Sequence, residues 1–306
     1  TYTLEALVHH GQHIVAATTI YGGTYNLFEH TFPNYGIETT FVDPTKGVEV
    51  FEEAIKENTR AVYIESVGNP NANLIDIQAV ADIAHKHKIP LVVDSTFATP
   101  YQLRPFENGA DIVVHSATKY LCGHNDIIAG VIAIANADSD YGKDLELYIK
   151  SEGPNLTPID SWLLLRSIKT LGIRVERQAQ SAMKVAEWLR TQPTVTDVYY
   201  VGLPDHPGHA LHESQATGFG SMISFKTESP EHAVRVLGRL KLIAFAESLG
   251  GVESLLTYPI AQTHAEMPKE LLARTGLDDR LLRLSIGIEA VDDIIADLEQ
   301  GFAAAK

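Results

Sequence analysis

One rhythm in the first half of this chain narrows the folds open to it more than any other feature. Six short runs are rich in β-branched residues and almost continuously apolar: "HIVAATT" (13–19), "ETTFVDP" (38–44), "AVYIESV" (61–67), "PLVVDST" (90–96), "DIVVHSA" (111–117) and "GVIAIA" (130–135). A strand with one wet face alternates apolar and polar residues. A run without that alternation suits a strand covered on both faces, as in a parallel sheet. Helical patterns such as "VEVFEEAIKE" (48–57) and "DIQAVADIAHKHK" (76–88) separate the runs. Strand and helix in alternation predict a three-layer α/β domain with a mostly parallel sheet, and ligands then belong at the carboxyl ends of its strands.

The rhythm breaks at "GPNLTPIDSWLLLRSIKTLGIRVERQAQSAMKVAEWLRTQP" (153–193). Thr157 can cap and Pro158 can open a helix, and the periodicity then predicts roughly thirty helical residues kinked at Gly172. Beyond it the pattern is α+β. Strands are expected at "DVYYVG" (197–202), "GSMISFKT" (220–227) and "LLRLSIGIE" (281–289), and helices at "PEHAVRVLGRL" (230–240) and "VDDIIADLEQGFAAA" (291–305). The expected division is a large domain over 1–165 and a smaller α+β domain over 166–306, entered through the long helix. A chain of 306 residues is long enough for two such cores.

A formal net charge of −15 argues against sequence-independent nucleic-acid binding, which demands basic patches. The single cysteine, Cys122, rules out an internal disulfide framework and suits a reducing compartment. No apolar run approaches bilayer length, so a cytoplasmic protein with no membrane partner is expected. The chain opens on "TYTLEALVHHGQHIVAATTIYGG", within a helix pattern and without an initiator Met, which suggests that an N-terminal segment precedes it.

Two of the buried runs end in reactive side chains. "VVDSTFATP" places Asp94 and "VVHSATKY" places Lys119 on one rim of the sheet. Alone, Asp94 is a turn cap and Lys119 a solvated loop lysine. Together, with Ser116, Thr118, Gly123 and Gly130 nearby, they are what pyridoxal phosphate requires. Its aldehyde needs a lysine, its ring nitrogen needs a carboxylate, and its phosphate needs hydroxyls and amides on a slim loop. Other candidates are weaker. "HPGHALH" spaces His206, His209 and His212 temptingly for a metal, but Pro207 and Gly208 interrupt it and no acidic or thiol cluster completes it, so no metal is expected. "HKHK" (85–88) suits a solvated helix end, and Cys122 a small packing residue.

The block "HSATKYLCGHND", with "VVDSTFATP" before it and "LLRLSIGIE" after it, resembles the Cys/Met-metabolism family of pyridoxal-phosphate enzymes. The likeness runs through "IYGGTYNLF", "ESVGNPNANLIDI", "ESLGGVESLLTYP" and "QTHAEMP". It implies the aspartate-aminotransferase-like fold, fold type I, with pyridoxal 5'-phosphate as cofactor and a homotetramer built from dimers. It also implies roles. Lys119 resembles the lysine that bonds the cofactor, and Asp94 the partner of its ring nitrogen. Ser116 and Thr118 resemble phosphate ligands, and Asn69 the residue bonding the cofactor's phenolic oxygen. Tyr21 resembles the tyrosine that stacks on the ring and shuttles protons. Arg283 resembles the guanidinium gripping the substrate's α-carboxylate, and Ser248 a serine orienting lysine and substrate. The family's N-terminal arm, and a turn whose amides hold the phosphate, fall before Thr1.

Within the family, Glu247 resembles the pattern of cystathionine γ-lyases and γ-synthases, where a carboxylate can attract the distal ammonium of cystathionine. Methionine γ-lyases tend to be apolar there, and to carry cysteine where this chain has Gly23. The long insertion of many O-acetylhomoserine sulfhydrylases is missing between "GVIAIA" and "SWLLLR". The expected activity is therefore γ-elimination on cystathionine, with β-elimination on the side. Cystathionine β-lyase and acylhomoserine-dependent γ-replacement are the alternatives, and a non-catalytic relative of the fold is a remote one.

Overall fold

The computed structural model describes residues 1–263, 265, 272 and 276–305. Each of the six apolar runs forms a strand: β1 His13–Ala17, β2 Glu38–Val42, β3 Thr59–Glu65, β4 Leu91–Asp94, β5 Ile112–Ser116 and β6 Gly130–Ile134. They build one sheet in the order β2-β1-β3-β4-β5-β6. Neighbours are parallel except β5 and β6, which run antiparallel at one edge. All five residues of β1 are buried, as a strand covered on both faces must be. The helix Ile77–Lys86 shows how the covering layers form. Asp76 caps it by accepting the Ala79 N–H at 2.9 Å, and Ile77, Val80, Ala81 and Ala84 make its buried stripe.

The second half carries a five-stranded sheet of β7 Val195–Tyr199, β8 Met222–Thr227, β9 Ala244–Phe245, β10 Leu255–Thr257 and β11 Leu281–Ser285, in the order β7-β8-β11-β10-β9. Its own core joins Ile223, Phe225, Leu282 and Leu284 to apolar faces of the helices Leu171–Leu189 and Val291–Ala304. The two short strands β9 and β10 escape the sequence pattern because two or three residues show no period.

The long helix differs from expectation. It is two helices, Pro158–Ile168 and Leu171–Leu189, and they part at Lys169–Thr170, before Gly172. The first is capped as expected, with the Thr157 hydroxyl accepting the Asp160 N–H at 3.1 Å and Pro158 opening it. The Ser167 carbonyl ends it. That oxygen accepts the Thr170 N–H (3.1 Å), the Thr170 hydroxyl (3.1 Å) and Arg174 Nη2 (3.1 Å). Hydrogen bonding to these polar groups competes with continuation of the helical ladder. Gly172 has a different task, because a Cβ there would lie 2.8 Å from the Tyr101 ring.

Candidate active site

Three parallel strands deliver polar side chains to one rim. In the β3–β4 register Glu65 sits opposite Asp94, and in the β4–β5 register Asp94 sits opposite Val114, two residues before Ser116. Asp94 Oδ1 accepts the Thr96 N–H (2.9 Å) and the Thr96 hydroxyl (2.5 Å), which ends β4 in a tight turn. The same Thr96 oxygen accepts the Ser116 N–H at 2.9 Å, so a single hydroxyl ties the two strand ends together. Among the described residues Asp94 Oδ2 accepts only a long bond from the Tyr63 phenol, at 3.3 Å. A cavity of about 550 Å3 opens on this rim, with Asp94, Ser116, Tyr63, His115 and Phe28 in its wall.

Lys119 lies in the turn that follows β5. Arg174, almost fully buried, clamps that turn through the carbonyls of Tyr120 (2.8 Å) and Leu121 (3.4 Å). Gly123 accommodates the clamp: its φ is +74°, and a Cβ would sit 2.1 Å from Arg174 Nη1. The Lys119 ammonium donates to Ser248 Oγ at 3.2 Å. Burial lowers its pKa, the Arg283 charge lowers it further, and Glu247 opposes both. The Thr118 hydroxyl is engaged on Ala129, accepting that residue's N–H at 2.9 Å and donating to its carbonyl at 3.3 Å.

On the far side, β11 carries Arg283 into the interior at 1% exposure. Its Nη1 donates to Asn69 Oδ1 (2.8 Å), and its Nη2 donates to the Glu247 carbonyl (3.0 Å) and the Thr257 hydroxyl (3.2 Å). Its Nε is buried and has no partner among the described residues. Desolvation depresses the guanidinium to about 10, so it stays charged at neutral pH. An unspent donor on a buried cation, with no carboxylate at ion-pair distance among the described residues, is suited to an incoming anion. Because Arg283 occupies Asn69 Oδ1, the other end of that amide is a donor.

Glu65 links the two sides, and sequence reasoning passed over it. Its carboxylate accepts the Tyr21 N–H at 2.6 Å and also bonds the Asn69 backbone amide. Burial, followed by the Asp94 charge, raises its pKa well above the ordinary carboxylate range. A signal was available, since "YIES" ends its buried run on a carboxylate just as "VVDS" does. Tyr21 projects its ring to 44% exposure, and burial and Glu247 raise its phenol pKa.

The structure thus forms two groups. Asp94 and Ser116 open on the cavity. Lys119, Ser248, Asn69, Glu247, Tyr21 and Arg283 are bonded or electrostatically coupled outside its wall, and Glu65 joins the sets. The three histidines stay near one another, with His209 and His212 both stacked on Phe219, but each spends a ring nitrogen on the backbone: His209 Nδ1 pairs with the Val201 carbonyl, His212 Nε2 with the Gly218 carbonyl, and His206 Nδ1 accepts the Gly208 N–H. Among the described residues no cluster could hold a metal. Cys122 is buried, with its thiol on Asp126 Oδ1 at 2.9 Å. His264, Glu266, Met267 and Pro268 of "QTHAEMP" lie outside the described residues.

The family model for Cys/Met metabolism PLP-dependent enzymes matches residues 1–303. The chain belongs to that family. It is 46% identical over 294 residues to a cystathionine γ-lyase of Bacillus subtilis, an alignment spanning 96% of this chain and 77% of the relative. It is 43% identical over 298 residues to the cystathionine β-lyase MetC of the same organism, spanning 97% and 76%. A crystal structure of cystathionine γ-lyase from Lactobacillus plantarum, complexed with L-serine, superposes with a TM-score of 0.95 at 38% identity, covering 99% of this chain and 79% of that one. The fold is therefore PLP fold type I, and the chemistry is that of a PLP-dependent carbon–sulfur lyase family. The residues present suit pyridoxal 5'-phosphate. A desolvated amine on the turn after β5, and a carboxylate whose second oxygen faces a roomy cavity, lie at the carboxyl ends of parallel strands, while the second sheet supplies an unspent guanidinium donor.

Proposed function

We propose that this protein cleaves the Cγ–S bond of cystathionine, giving cysteine, 2-oxobutanoate and ammonia, with β-elimination as a side activity. Bound PLP supplies an aldehyde for amines and a protonated ring that accepts the electrons left when a Cα–H bond breaks. Lys119 is the residue that bonds the cofactor and, once free, carries protons from Cα and Cβ. Its lowered pKa supports the role, because a base must be neutral to accept a proton. Asp94 holds the ring nitrogen in its cationic form. Ser116 and Thr118 hold the phosphate, and the Asn69 amide donates to the phenolic oxygen. Arg283 grips the substrate α-carboxylate, Ser248 orients the lysine, and Tyr21 protonates the departing thiolate.

The observation that carries γ-elimination of cystathionine is the place of Glu247. Arg283 holds its backbone carbonyl, and its carboxylate acts on both Tyr21 and Lys119. A carboxylate there suits a substrate with a second ammonium. Purified protein with PLP and cystathionine should release cysteine and 2-oxobutanoate. Pyruvate with homocysteine as the main products would make it a β-lyase, and turnover only of O-acylhomoserine with cysteine a γ-synthase. Borohydride reduction should fix the cofactor to Lys119, and no attachment would favour a non-catalytic relative.

We further propose the two-domain division at 165/166, a cytoplasmic setting and a homotetramer. Limited proteolysis into fragments that do not part near that boundary would count against the division. No helix among the described residues is long and apolar enough to cross a membrane, and recovery in a membrane fraction would overturn the cytoplasmic setting. Ile128, Ile159, Trp162, Leu165 and Ile173 project at 62–90% exposure, which supports their burial against other copies. A monomer by light scattering would refute that assembly.

A further inference from the structure

Beyond Ser248, a chain of hydrogen bonds leads from Lys119 to a carboxylate that no motif singled out. Lys119 Nζ donates to Ser248 Oγ (3.2 Å), Ser248 Oγ donates to Asn125 Oδ1 (2.8 Å), and Asn125 Nδ2 donates to Glu253 Oε1 (2.5 Å). Every direction in this chain is set from its far end. An ionised carboxylate can only accept, so Glu253 turns the Asn125 amide with nitrogen toward itself and oxygen toward Ser248. Facing an oxygen, the serine hydroxyl spends its only proton there. It can therefore accept from Lys119 but cannot donate to it. The lone pair of the neutral amine is left without a partner, as a nucleophile and base requires.

The local backbone is shaped for this contact. Asn125 has φ +51°, a left-handed conformation that asparagine tolerates better than most side chains. Gly251 makes room, since a Cβ there would lie 2.5 Å from Asn125 Nδ2. The Val252 N–H donates to the Gly123 carbonyl at 2.9 Å, fastening the loop that carries Glu253 to the loop that carries Asn125.

We propose that Asn125 and Glu253 are positioning residues that fix the polarity of the Ser248 hydroxyl and so keep the Lys119 lone pair free. The proposal rests on Lys119 being the reacting amine, and its test does not require turnover. The full chain, stripped of cofactor, is labelled with trace acetic anhydride over a pH series. Acetylation at Lys119 is measured by peptide mass spectrometry against the exposed Lys46. In Asn125→Ala the serine proton is released to turn onto the amine, so Lys119 labelling at high pH should fall about fivefold, the effect of one hydrogen bond. Glu253→Ala should act in the same direction. Glu253→Gln can donate as well as accept, so it no longer fixes the Asn125 amide in one orientation and should lower Lys119 labelling, by less than Glu253→Ala does. In a Ser248→Ala background Asn125→Ala should add nothing.

Unchanged Lys119 labelling in Asn125→Ala would overturn the proposal. So would an Asn125→Ala effect that persists without Ser248. Borohydride reduction of the holoprotein reports separately whether Lys119 bonds the cofactor, so either idea can fail while the other stands.

Discussion

Replacing Arg283 with lysine isolates the contribution of the guanidinium, because the charge is kept and the planar fork is lost. The wild-type group has five N–H donors. Three are spent on Asn69 Oδ1, the Glu247 carbonyl and the Thr257 hydroxyl, which leaves Nε–H and one proton on Nη1. A lysine nitrogen is one point and cannot reach acceptors arranged around two separate nitrogens. Two of the three bonds should be lost, each worth about 1.5–3 kcal/mol from a charged donor. The substrate's α-carboxylate should lose its two-pronged contact as well, at a cost of about 2–5 kcal/mol. With about 1.4 kcal/mol per tenfold, that is roughly 30- to 4000-fold in kcat/KM. Steady-state kinetics on cystathionine should place most of the loss in KM, with the visible band of the bound cofactor unchanged. An Arg283→Lys holoprotein whose KM stays within about threefold of wild type would refute the carboxylate-binding role.

Other outcomes can be checked independently. Tyr21→Phe keeps the ring and removes the phenol, so kcat should fall about 10²-fold or more with the cofactor band intact; an unchanged kcat would exclude Tyr21 as a proton carrier. Gly123→Ala combines a φ of +74° with a Cβ 2.1 Å from Arg174 Nη1. It should destabilise by at least about 1–2 kcal/mol in urea unfolding, and a change under about 0.5 kcal/mol would contradict the clamp. Glu65→Ala strands two buried N–H donors at about 1–3 kcal/mol each, whereas Glu65→Gln should recover part of the loss; equal effects would show that the acceptor oxygen is irrelevant. His13, buried between the hydroxyls of Thr40 and Thr59, has its pKa depressed by burial to about 4. The folded state therefore binds fewer protons than the unfolded chain, and the contribution of His13 to stability is complete above about pH 6.5 and lost as pH falls toward 4. His13→Asn should flatten the pH slope of urea stability in that window, and an equal slope in both proteins would rule His13 out as a source.

The large sheet and its rim were readable from the order of residues alone, because both follow from local chemistry. Short, nearly continuous apolar runs rich in β-branched residues suit strands packed into a sheet, and polar residues at the ends of two such parallel strands come out at one edge, so Asp94 and Ser116 were legible together. Relations across long stretches of chain emerge only on folding. The Asn69–Arg283 bond joins residues 214 positions apart, and the Lys119–Ser248 bond joins residues 129 apart. No periodicity encodes such distances, since they arise only when segments far apart in the chain are brought together by packing. The same holds for the break at Thr170, fixed by Arg174 reaching across a turn, and for Glu65, a carboxylate that looked like a strand end until folding placed it between Tyr21, Asn69 and Asp94.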